Sequence, residues 1–397
     1  MLAPKNKLNI AMVCDPIGNS KAGVVVSTLR FGKLLKERGH HVIFIGARSK
    51  DHREHSDYND IKTYRYRSIP LPKSGGWTMA FPRVNEIKKV LQEEKIDVVH
   101  IILPMMGGLV AILAARSLGI KIVAHSHSQP ENIFAEMPGF IRPMLYALWN
   151  KYLAWIYNKA EYIIYPSEMA RKLLEKLNKK EKKTAVISNG INTAEFKPSA
   201  IGDFYNRFKI PDNSTKLLFV GRLFPEKSID TLIKAIPYIR QKHVDTHVMI
   251  VGAGHLRAKL EKLARELEVI QHVTFLGLVS DEDKVLAYNA CDIFVLPSIA
   301  ELEGMVVLEA MACGKPIIIA DAEMSASRYF VDGNGFLFKK YNYKDLAEQA
   351  LKLILDADLR KKLGEVSLAN SKNYDIHQSV AKLEEVYYSA LKNEVSP

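Results

Sequence analysis

Strand-length apolar runs alternate with amphipathic helical segments along the 397-residue chain. This alternation is typical of α/β proteins, because parallel strands need long crossover connections that helices commonly supply. A first series of strands runs from Asn9–Cys14 to Thr184–Ile187, and a second begins at Lys216–Val220. Two series predict two open parallel-sheet domains, and the proline and glycine residues at 193–212 predict a linker between them. Such sheets bind ligands at the carboxyl ends of their strands, so we expect a ligand crevice there.

The segment 296–316, LPSIAELEGMVVLEAMACGKP, carries the most specific pattern in the chain. An apolar strand precedes it, and its helix-forming run LEAMA ends at Gly314–Pro316. Glu301 is therefore expected at the end of the strand, and Glu309 about one and a half turns into the helix. Free amides at a helix start bind anions, and two nearby carboxylates can hold hydroxyl groups. A sugar nucleotide has both features that such a site would bind, because its diphosphate is an anion and its sugar carries several hydroxyl groups.

The E-x7-E spacing followed by A-M-A-x-G-x-P resembles the signature of retaining family 4 glycosyltransferases. The resemblance implies a GT-B fold, in which two Rossmann-like parallel-sheet domains face a central cleft. It implies an acceptor-binding domain at 1–192, a sugar-nucleotide-binding domain at 193–374, and a C-terminal helix at 375–397 that crosses back to the first domain. One position departs from the family pattern, because Glu303 stands where an aromatic residue usually precedes the glycine. A polar residue there resembles the lipid glycosyltransferases.

Other residues match the family's donor-site positions. Arg222 and Lys227 follow a strand in the pattern G-R-x4-K, whose two cations are implied to bind the diphosphate in place of a metal ion. Glu301 is implied to hold sugar hydroxyls and Glu309 the ribose. His127 follows another strand, where the family has a histidine that reaches the sugar or the acceptor; a buried structural histidine is the alternative. The predicted catalytic residues are Glu301, Arg222, Lys227 and His127, and the predicted donor-binding residues are Gly23, Gly252, Gly254, Val279, Gly304, Met305, Val306 and Glu309.

Metal binding is not indicated by the sequence. Asp281–Asp283 is similar to the D-x-D motif of a different glycosyltransferase fold, but Ser280 before it fits the capped start of a helix. The three cysteines lack ligand-like spacing, which favours a reducing cytosol without disulfides or zinc. We therefore expect neither a metal nor another cofactor.

Positive charge is concentrated in the first half of the chain. Residues 1–190 contain 30 Lys and Arg against 16 Asp and Glu, whereas the remainder contains 26 against 28. A basic domain favours an anionic partner such as lipid head groups, nucleic acid or an acidic glycan, although solubilising charge is the other interpretation. The segment Arg142–Lys159, with two tryptophans and basic residues, suits a membrane interface and equally a core helix. The uncharged run Val98–Ala115 contains Pro104, so we predict a strand, a loop and a core helix, not a membrane span.

We therefore expect a hexosyltransferase that moves glucose from UDP-glucose to a membrane lipid such as diacylglycerol. We further expect no nucleic-acid partner, and a cytoplasmic protein held peripherally on an anionic lipid surface at the inner face of the cell membrane. Three alternatives stay open. The acceptor could be a soluble sugar or a polysaccharide intermediate. The chain could also be a sugar-nucleotide epimerase, which would act without an acceptor, or a non-catalytic sugar-nucleotide binder.

Overall fold

The computed structural model describes residues 7–17, 23–48, 60–71, 77–128, 137–177, 182–242 and 245–392. The chain divides into two compact units, Met1–Asn189 with His377–Pro397, and Gly190–Ile376. Each unit contains a parallel sheet, which confirms the predicted α/β class. The acceptor and donor roles assigned to the two units stay a prediction.

The first unit has a seven-stranded sheet in which every neighbouring pair is parallel. Its strands are β1 Asn9–Val13, β2 His41–Ala47, β3 Thr63–Tyr66, β6 Val98–Ile101, β7 Lys121–His125, β8 Tyr162–Tyr165 and β9 Lys183–Val186. Their spatial order is β3-β2-β1-β6-β7-β8-β9. Two short strands, β4 Ser68–Pro70 and β5 Thr78–Ala80, pair antiparallel as a separate ribbon.

Helices connect these strands. They are α1 Gly23–Glu37, α2 Val84–Glu93, α3 Met106–Ser117, α4 Arg142–Tyr157 and α5 Glu168–Leu174. The uncharged run at Val98–Ala115 forms β6 and most of α3, as predicted. Among the described helices, none combines the length and the apolar character that crossing a membrane requires.

The second unit has a six-stranded parallel sheet of order β12-β11-β10-β13-β15-β17. Its strands are β10 Thr215–Val220, β11 Thr246–Val251, β12 Val273–Gly277, β13 Ile293–Leu296, β15 Ile317–Asp321 and β17 Gly335–Lys339. A small parallel pair joins β14 Ala300–Glu301 to β16 Met324–Ser325. The helices are α6 Phe204–Phe208, α7 Ile229–Lys242, α8 Arg257–Glu266, α9 Asp281–Ala290, α10 Met305–Ala312, α11 Tyr343–Ile354 and α12 Ala357–Ser371.

The segment 193–212 belongs to the second unit. Its proline and glycine residues predict a linker between domains, and that prediction was wrong. Phe196 and Phe204 are fully buried in the hydrophobic core of the unit. Because burying a phenylalanine stabilises a fold by about 1.5–3 kcal/mol, this segment contributes to the core.

The last helix, α13 Ile376–Leu391, packs on the first unit, as the fold prediction requires. Glu384 on this helix forms an ion pair with Arg38 at 2.7 Å, and its Oε1 lies 2.8 Å from Nε2 of His40. Farther along, the Tyr387 hydroxyl lies 2.7 Å from Nδ1 of His100. The chain therefore returns to its first unit after completing the second.

Candidate active site

Loops that follow three parallel strands meet at one edge of the second sheet. The amide of Gly221, after β10, donates to the Val251 carbonyl at 3.0 Å. The amide of Gly252, after β11, donates to the Gly277 carbonyl at the end of β12 at 2.8 Å. The carboxyl ends of β10, β11 and β12 therefore lie side by side, which is the position where open α/β sheets bind ligands.

Two predicted donor-site glycines occupy positions where the protein's own backbone leaves no room for a side chain. Gly252 has a φ of +134°, and a Cβ there would lie 1.9 Å from the Gly221 carbonyl oxygen. A Cβ on Gly254 would lie 2.3 Å from the Leu223 carbonyl oxygen. Loop packing is therefore sufficient to require both glycines. Their contact with a nucleotide, like that of the partly buried Val279 after β12, stays a prediction.

Arg222 is held in place by two neighbours. Its Nη2 donates to Oε1 of Glu226 at 3.1 Å, and its Cζ lies 4.6 Å from the centre of the Phe224 ring. The side chain is still 35% exposed. Because a guanidinium has five N–H donors, one edge can remain on Glu226 while another binds a phosphate.

Glu226 is a residue that the sequence analysis missed. It is buried in the short 3₁₀ turn Pro225–Lys227, and its backbone carbonyl accepts a hydrogen bond from Ile299 at 2.9 Å. Its Oε2 is buried without a hydrogen-bond partner in the described part of the chain. A buried carboxylate needs a cation nearby, which Arg222 supplies. The spacing of Arg and Glu four residues apart after a strand was the available signal.

Lys227 and Glu301 form a close ion pair. The pair follows from topology, because β10 lies parallel beside β13 and the segments after both strands meet. Both side chains are 13% exposed. Water screens such a pair less than a surface pair, so the two side chains hold each other in position. The structure therefore brings together Arg222, Lys227 and Glu301, three of the four predicted catalytic residues.

Glu309 lies inside α10 and is 3% exposed. Its Oε1 accepts a hydrogen bond from Nζ of Lys284 at 3.0 Å, and its Oε2 accepts one from the Tyr288 hydroxyl at 2.7 Å. Burial, and then the nearby carboxylate, raise the pKa of Tyr288 well above its ordinary value. Both carboxylate oxygens thus have protein partners. A ribose would have to use their remaining lone pairs, so that role stays a prediction.

The start of α10 is shaped by Gly304. This residue has a φ of +101°, and a Cβ there would lie 2.1 Å from Oγ of Ser327. The same hydroxyl donates to the Glu303 carbonyl at 3.1 Å. Met305 and Val306 follow as the first, partly buried residues of the helix. Amides at this position have no intrahelical acceptor and are suited to an anion.

His127 is part of a stack of three histidines in the first unit. The rings of His100 and His125 are 5.6 Å apart and nearly parallel, and those of His125 and His127 are 4.0 Å apart. Burial lowers the pKa of both His100 and His127 to about 3. These imidazoles are therefore neutral at neutral pH and bind hydroxyl groups only as neutral donors or acceptors.

The two interpretations of His127 stay open. The residue is half-buried, and its Nε2 is enclosed without a hydrogen-bond partner in the described part of the chain. An unpaired ring nitrogen suits a ligand contact, whereas the stack suits a structural role. Gly23, the other predicted residue of this unit, is exposed as the first residue of α1.

Asp15 is a second residue that the sequence analysis did not select. It follows β1, is fully buried, and its Oδ2 accepts hydrogen bonds from the amides of Ala80 at 2.9 Å and Gly107 at 3.1 Å. Burial raises its pKa to about 6. A lone aspartate after a strand carries no distinguishing sequence signal, so only the structure reveals its environment.

The Asp281–Asp283 cluster forms the start of α9, as predicted. Oγ of Ser280 accepts a hydrogen bond from the Asp283 amide at 3.0 Å, which is an N-cap. Within the described ranges, no group of His, Cys, Asp and Glu side chains is arranged to hold a metal ion.

Family models match both units. Residues 22–195 match Glycosyltransferase Family 4, and residues 203–367 match Glycosyl transferases group 1. The chain belongs to the family 4 glycosyltransferases. The recognition made from the E-x7-E segment is thereby confirmed, and so is the prediction that the protein is a glycosyltransferase enzyme.

Named relatives of this glycosyltransferase differ in what they act on. The chain is 26% identical over 319 residues to the alpha-monoglucosyldiacylglycerol synthase of Streptococcus pneumoniae. The alignment covers 78% of this chain and 70% of the relative. The chain is 24% identical over 398 residues to the N-acetyl-alpha-D-glucosaminyl L-malate synthase of Bacillus anthracis, covering 98% of each. The Anabaena protein HepE, solved in complex with UDP and glucose, has a TM-score of 0.78 at 20% identity, covering 96% of this chain and 100% of that one. The structural similarity confirms the GT-B fold.

Proposed function

We propose that the enzyme is a retaining hexosyltransferase that moves glucose from UDP-glucose to a hydroxyl of a membrane lipid of the diacylglycerol kind. The proposal that the enzyme uses a sugar nucleotide as donor rests on one observation. Arg222, Lys227 and Glu301 lie in the segments that follow β10 and β13. Two cations and a carboxylate in one place match a diphosphate attached to a sugar.

The two cations act on the leaving group. When the bond between the anomeric carbon and the diphosphate oxygen breaks, negative charge develops on that oxygen. Arg222 and Lys227 stabilise this charge from positions that their carboxylate partners fix in advance. Such preorganised electrostatic stabilisation is usually the largest single contribution to catalysis. This proposal requires no metal ion.

Glu301 holds the sugar. Its carboxylate accepts hydrogen bonds from sugar hydroxyls, while the ammonium of Lys227 keeps it oriented. An ammonium has three donors, so Lys227 can bind Glu301 and a phosphate oxygen together. The acceptor oxygen then forms its bond to the anomeric carbon on the face that the diphosphate leaves, and its proton passes to the departing phosphate oxygen.

The choice of donor is supported by relatives. HepE was solved with UDP and glucose and also with UDP-glucose. The relative from Streptococcus pneumoniae is named for glucosylation of diacylglycerol. UDP-glucose is therefore the first donor to test.

The lipid acceptor is supported by an exposed apolar stripe on the first unit. One face of α4 is buried through Leu153, Ile156 and Tyr157, so the helix is part of the core. The opposite face, with the residues just before it, exposes large apolar side chains to solvent. They are Phe140 (86%), Met144 (58%), Leu148 (55%) and Trp155 (44%), and we call them the α4 stripe. The stripe suits insertion into the interfacial region of a membrane.

The distribution of positive charge also supports membrane binding by the surface around the α4 stripe. Lys151 is exposed on α4, and Nζ of Lys159 lies 4.4 Å from the Trp155 ring centre. Residues 1–190 carry an excess of 14 basic over acidic residues, from 30 against 16. Each Lys or Arg near an anionic membrane contributes about 1 kcal/mol. We therefore propose peripheral binding at the inner face of the cell membrane, where UDP-glucose and the lipid would meet.

The test is a transfer assay with radiolabelled UDP-glucose and vesicles that contain diacylglycerol. We expect label in the organic extract, an α-glucosidic linkage by NMR, and loss of product in an Arg222→Ala variant. GDP-mannose and ADP-glucose serve as competing donors. Label that enters only water-soluble products would contradict the lipid acceptor and leave the donor assignment standing.

A soluble acceptor is the second candidate, because the malate-modifying relative from Bacillus anthracis aligns over 98% of both chains. The same assay with UDP-N-acetylglucosamine and L-malate decides between them. Product formation there, with none on vesicles, would favour the soluble acceptor.

A further inference from the structure

A basic concavity lies on the first unit. Its volume is about 610 Å³. Four of the residues that line it are arginines and one is a glutamate. We call it the arginine pocket, and it is lined by Arg48, Arg65, Tyr66, Arg67, Ile69, Phe81, Arg83 and Glu86.

Among the residues that the structure describes, little negative charge compensates the arginine pocket. Within the described part of the chain, Arg48, Arg67 and Arg83 form no ion pair, and all three are exposed. Glu86 is already engaged, because its Oε2 accepts a hydrogen bond from the Arg83 amide at 2.7 Å in a helix cap. Like charges held together repel each other, so an anion that enters the pocket is stabilised.

Hydrogen bonds fix the frame of the pocket. Nη1 of Arg65 donates to the carbonyls of Ile17 and Ala47, both at 3.1 Å. The Arg48 amide donates to the Tyr66 carbonyl, and the Phe81 amide donates to the Arg67 carbonyl, both at 2.8 Å. Arg65 therefore stabilises the backbone around the pocket. The backbone next to Arg48 and Arg67 is also fixed by hydrogen bonds.

The chemistry of the pocket selects phosphate. Guanidinium groups bind phosphate oxygens through paired N–H bonds, and several of them match a multiply charged group better than a single carboxylate. Ile69 and Phe81 at the pocket are exposed apolar side chains, which suit the organic part of a phosphate ester. We infer that the arginine pocket binds a phosphate group, carried either by a soluble phosphate ester or by the head group of an anionic phospholipid.

Binding measurements test this without any sugar transfer, and the titrations with soluble phosphates are also independent of the membrane binding proposed above. Glycerol 3-phosphate and inorganic phosphate are titrated calorimetrically at low salt. Vesicles of phosphatidylcholine, with and without phosphatidylglycerol, are tested by sedimentation. The variant is Arg48→Gln with Arg67→Gln, and the control is Arg116→Gln, an exposed arginine on α3 of the same unit. Thermal unfolding verifies that each variant is folded, and single variants replace the double one if it is not.

We expect the double variant to bind at least about tenfold more weakly than the wild type, because charge-assisted bonds are lost, and the control to bind normally. If the double variant loses binding to the soluble phosphates, the ligand is a soluble ester. If it loses binding only to phosphatidylglycerol vesicles, the ligand is a lipid head group. The inference is overturned if the wild type binds neither probe. It is also overturned if Arg116→Gln weakens binding as much as the double variant.

Discussion

Lys227 and Glu301 form an ion pair although 74 positions separate them in the sequence. The fold makes the pair, since Lys227 follows β10, Glu301 lies after β13, and these strands are parallel neighbours. Each residue orients the other in the free enzyme. The cation that would bind the diphosphate and the carboxylate that would bind the sugar are thus positioned by a single contact.

Removal of either cation should lower turnover strongly. We expect Arg222→Ala and Lys227→Ala each to reduce kcat by about 10²–10³, the usual cost of losing one donor that stabilises transition-state charge. Steady-state kinetics with UDP-glucose measures the effect. Lys234→Ala is the matched control, because this lysine forms an exposed pair with Asp230 on α7 and should leave kcat unchanged. Near-normal kcat in both site variants would refute the cation assignment.

Glu226 should act as a positioning residue for Arg222. Glu226→Gln removes the charge that holds the guanidinium, so we expect a fall in kcat smaller than that of Arg222→Ala. If Glu226 acts only through Arg222, its substitution should have little further effect in an Arg222→Ala background. A double-mutant cycle on kcat/KM makes this comparison. Additive effects would show that the two residues act separately.

The two glutamates of the E-x7-E pattern should differ in what they affect. Glu301→Gln should damage turnover and leave UDP affinity nearly intact, because Glu301 is assigned to the sugar. Glu309→Gln should weaken UDP binding. It should also lower the free energy of unfolding by roughly 1–3 kcal/mol, because the bond from Lys284 loses its charged acceptor. Calorimetry with UDP and denaturant titration separate the outcomes, and equal losses of UDP affinity would contradict the division of roles.

The sequence predicted the central strands well and missed two edge strands, β3 and β17. Central strands such as β10 and β11 are continuous apolar runs, so their pattern is unambiguous. Strand β3 has the sequence TYRY and therefore lacks the apolar run of a buried strand. Strand β17 has only three apolar residues in a row, between a glycine and a lysine, which is a weak signal. The prediction of a linker at 193–212 was wrong because turn-forming residues there outweighed two buried phenylalanines.

The candidate site was predictable where a spaced motif existed. Arg222, Lys227 and Glu301 come from such motifs; Arg222 bonds to Glu226 beside Lys227, which pairs with Glu301, and their catalytic roles stay a prediction. Glu226 and Asp15 were missed because their significance comes from burial, although Glu226 bonds to an arginine only four residues away. Sequence spacing does not report which carboxylates lose their contact with water.

The enclosed rings of His100 and His127 predict that the first unit loses stability in acid. The pKa of His100 and of His127 is lowered to about 3 in the folded protein, against about 6.5 when unfolded. Below pH 6.5 the unfolded chain therefore binds protons that the folded chain does not. Stability is complete above pH 6.5 and falls toward pH 3, by about 2 kcal/mol for each histidine at pH 5.

Denaturant unfolding at pH 7 and pH 5 measures whether the free energy of unfolding falls as the pH is lowered. The His127→Asn variant should lose less stability between these two values than the wild type loses. His377→Asn, at an exposed position on α13, serves as the control and should behave like the wild type. If His127→Asn and the wild type lose the same stability, the neutral buried state of His127 is wrong.

The α4 stripe should anchor the first unit on anionic membranes. We expect Leu148→Glu with Trp155→Glu to abolish sedimentation with phosphatidylglycerol vesicles, because two carboxylates would enter an apolar, negatively charged interface. Leu355→Glu is the control, since this leucine is 67% exposed but lies in the second unit. Wild-type binding should also weaken as salt rises, because screening shortens the reach of the basic residues. If the double variant sediments like the wild type, the α4 stripe is not the anchor. If the wild type itself stays in solution at low salt, the lipid acceptor loses its physical support and a soluble acceptor becomes the better proposal.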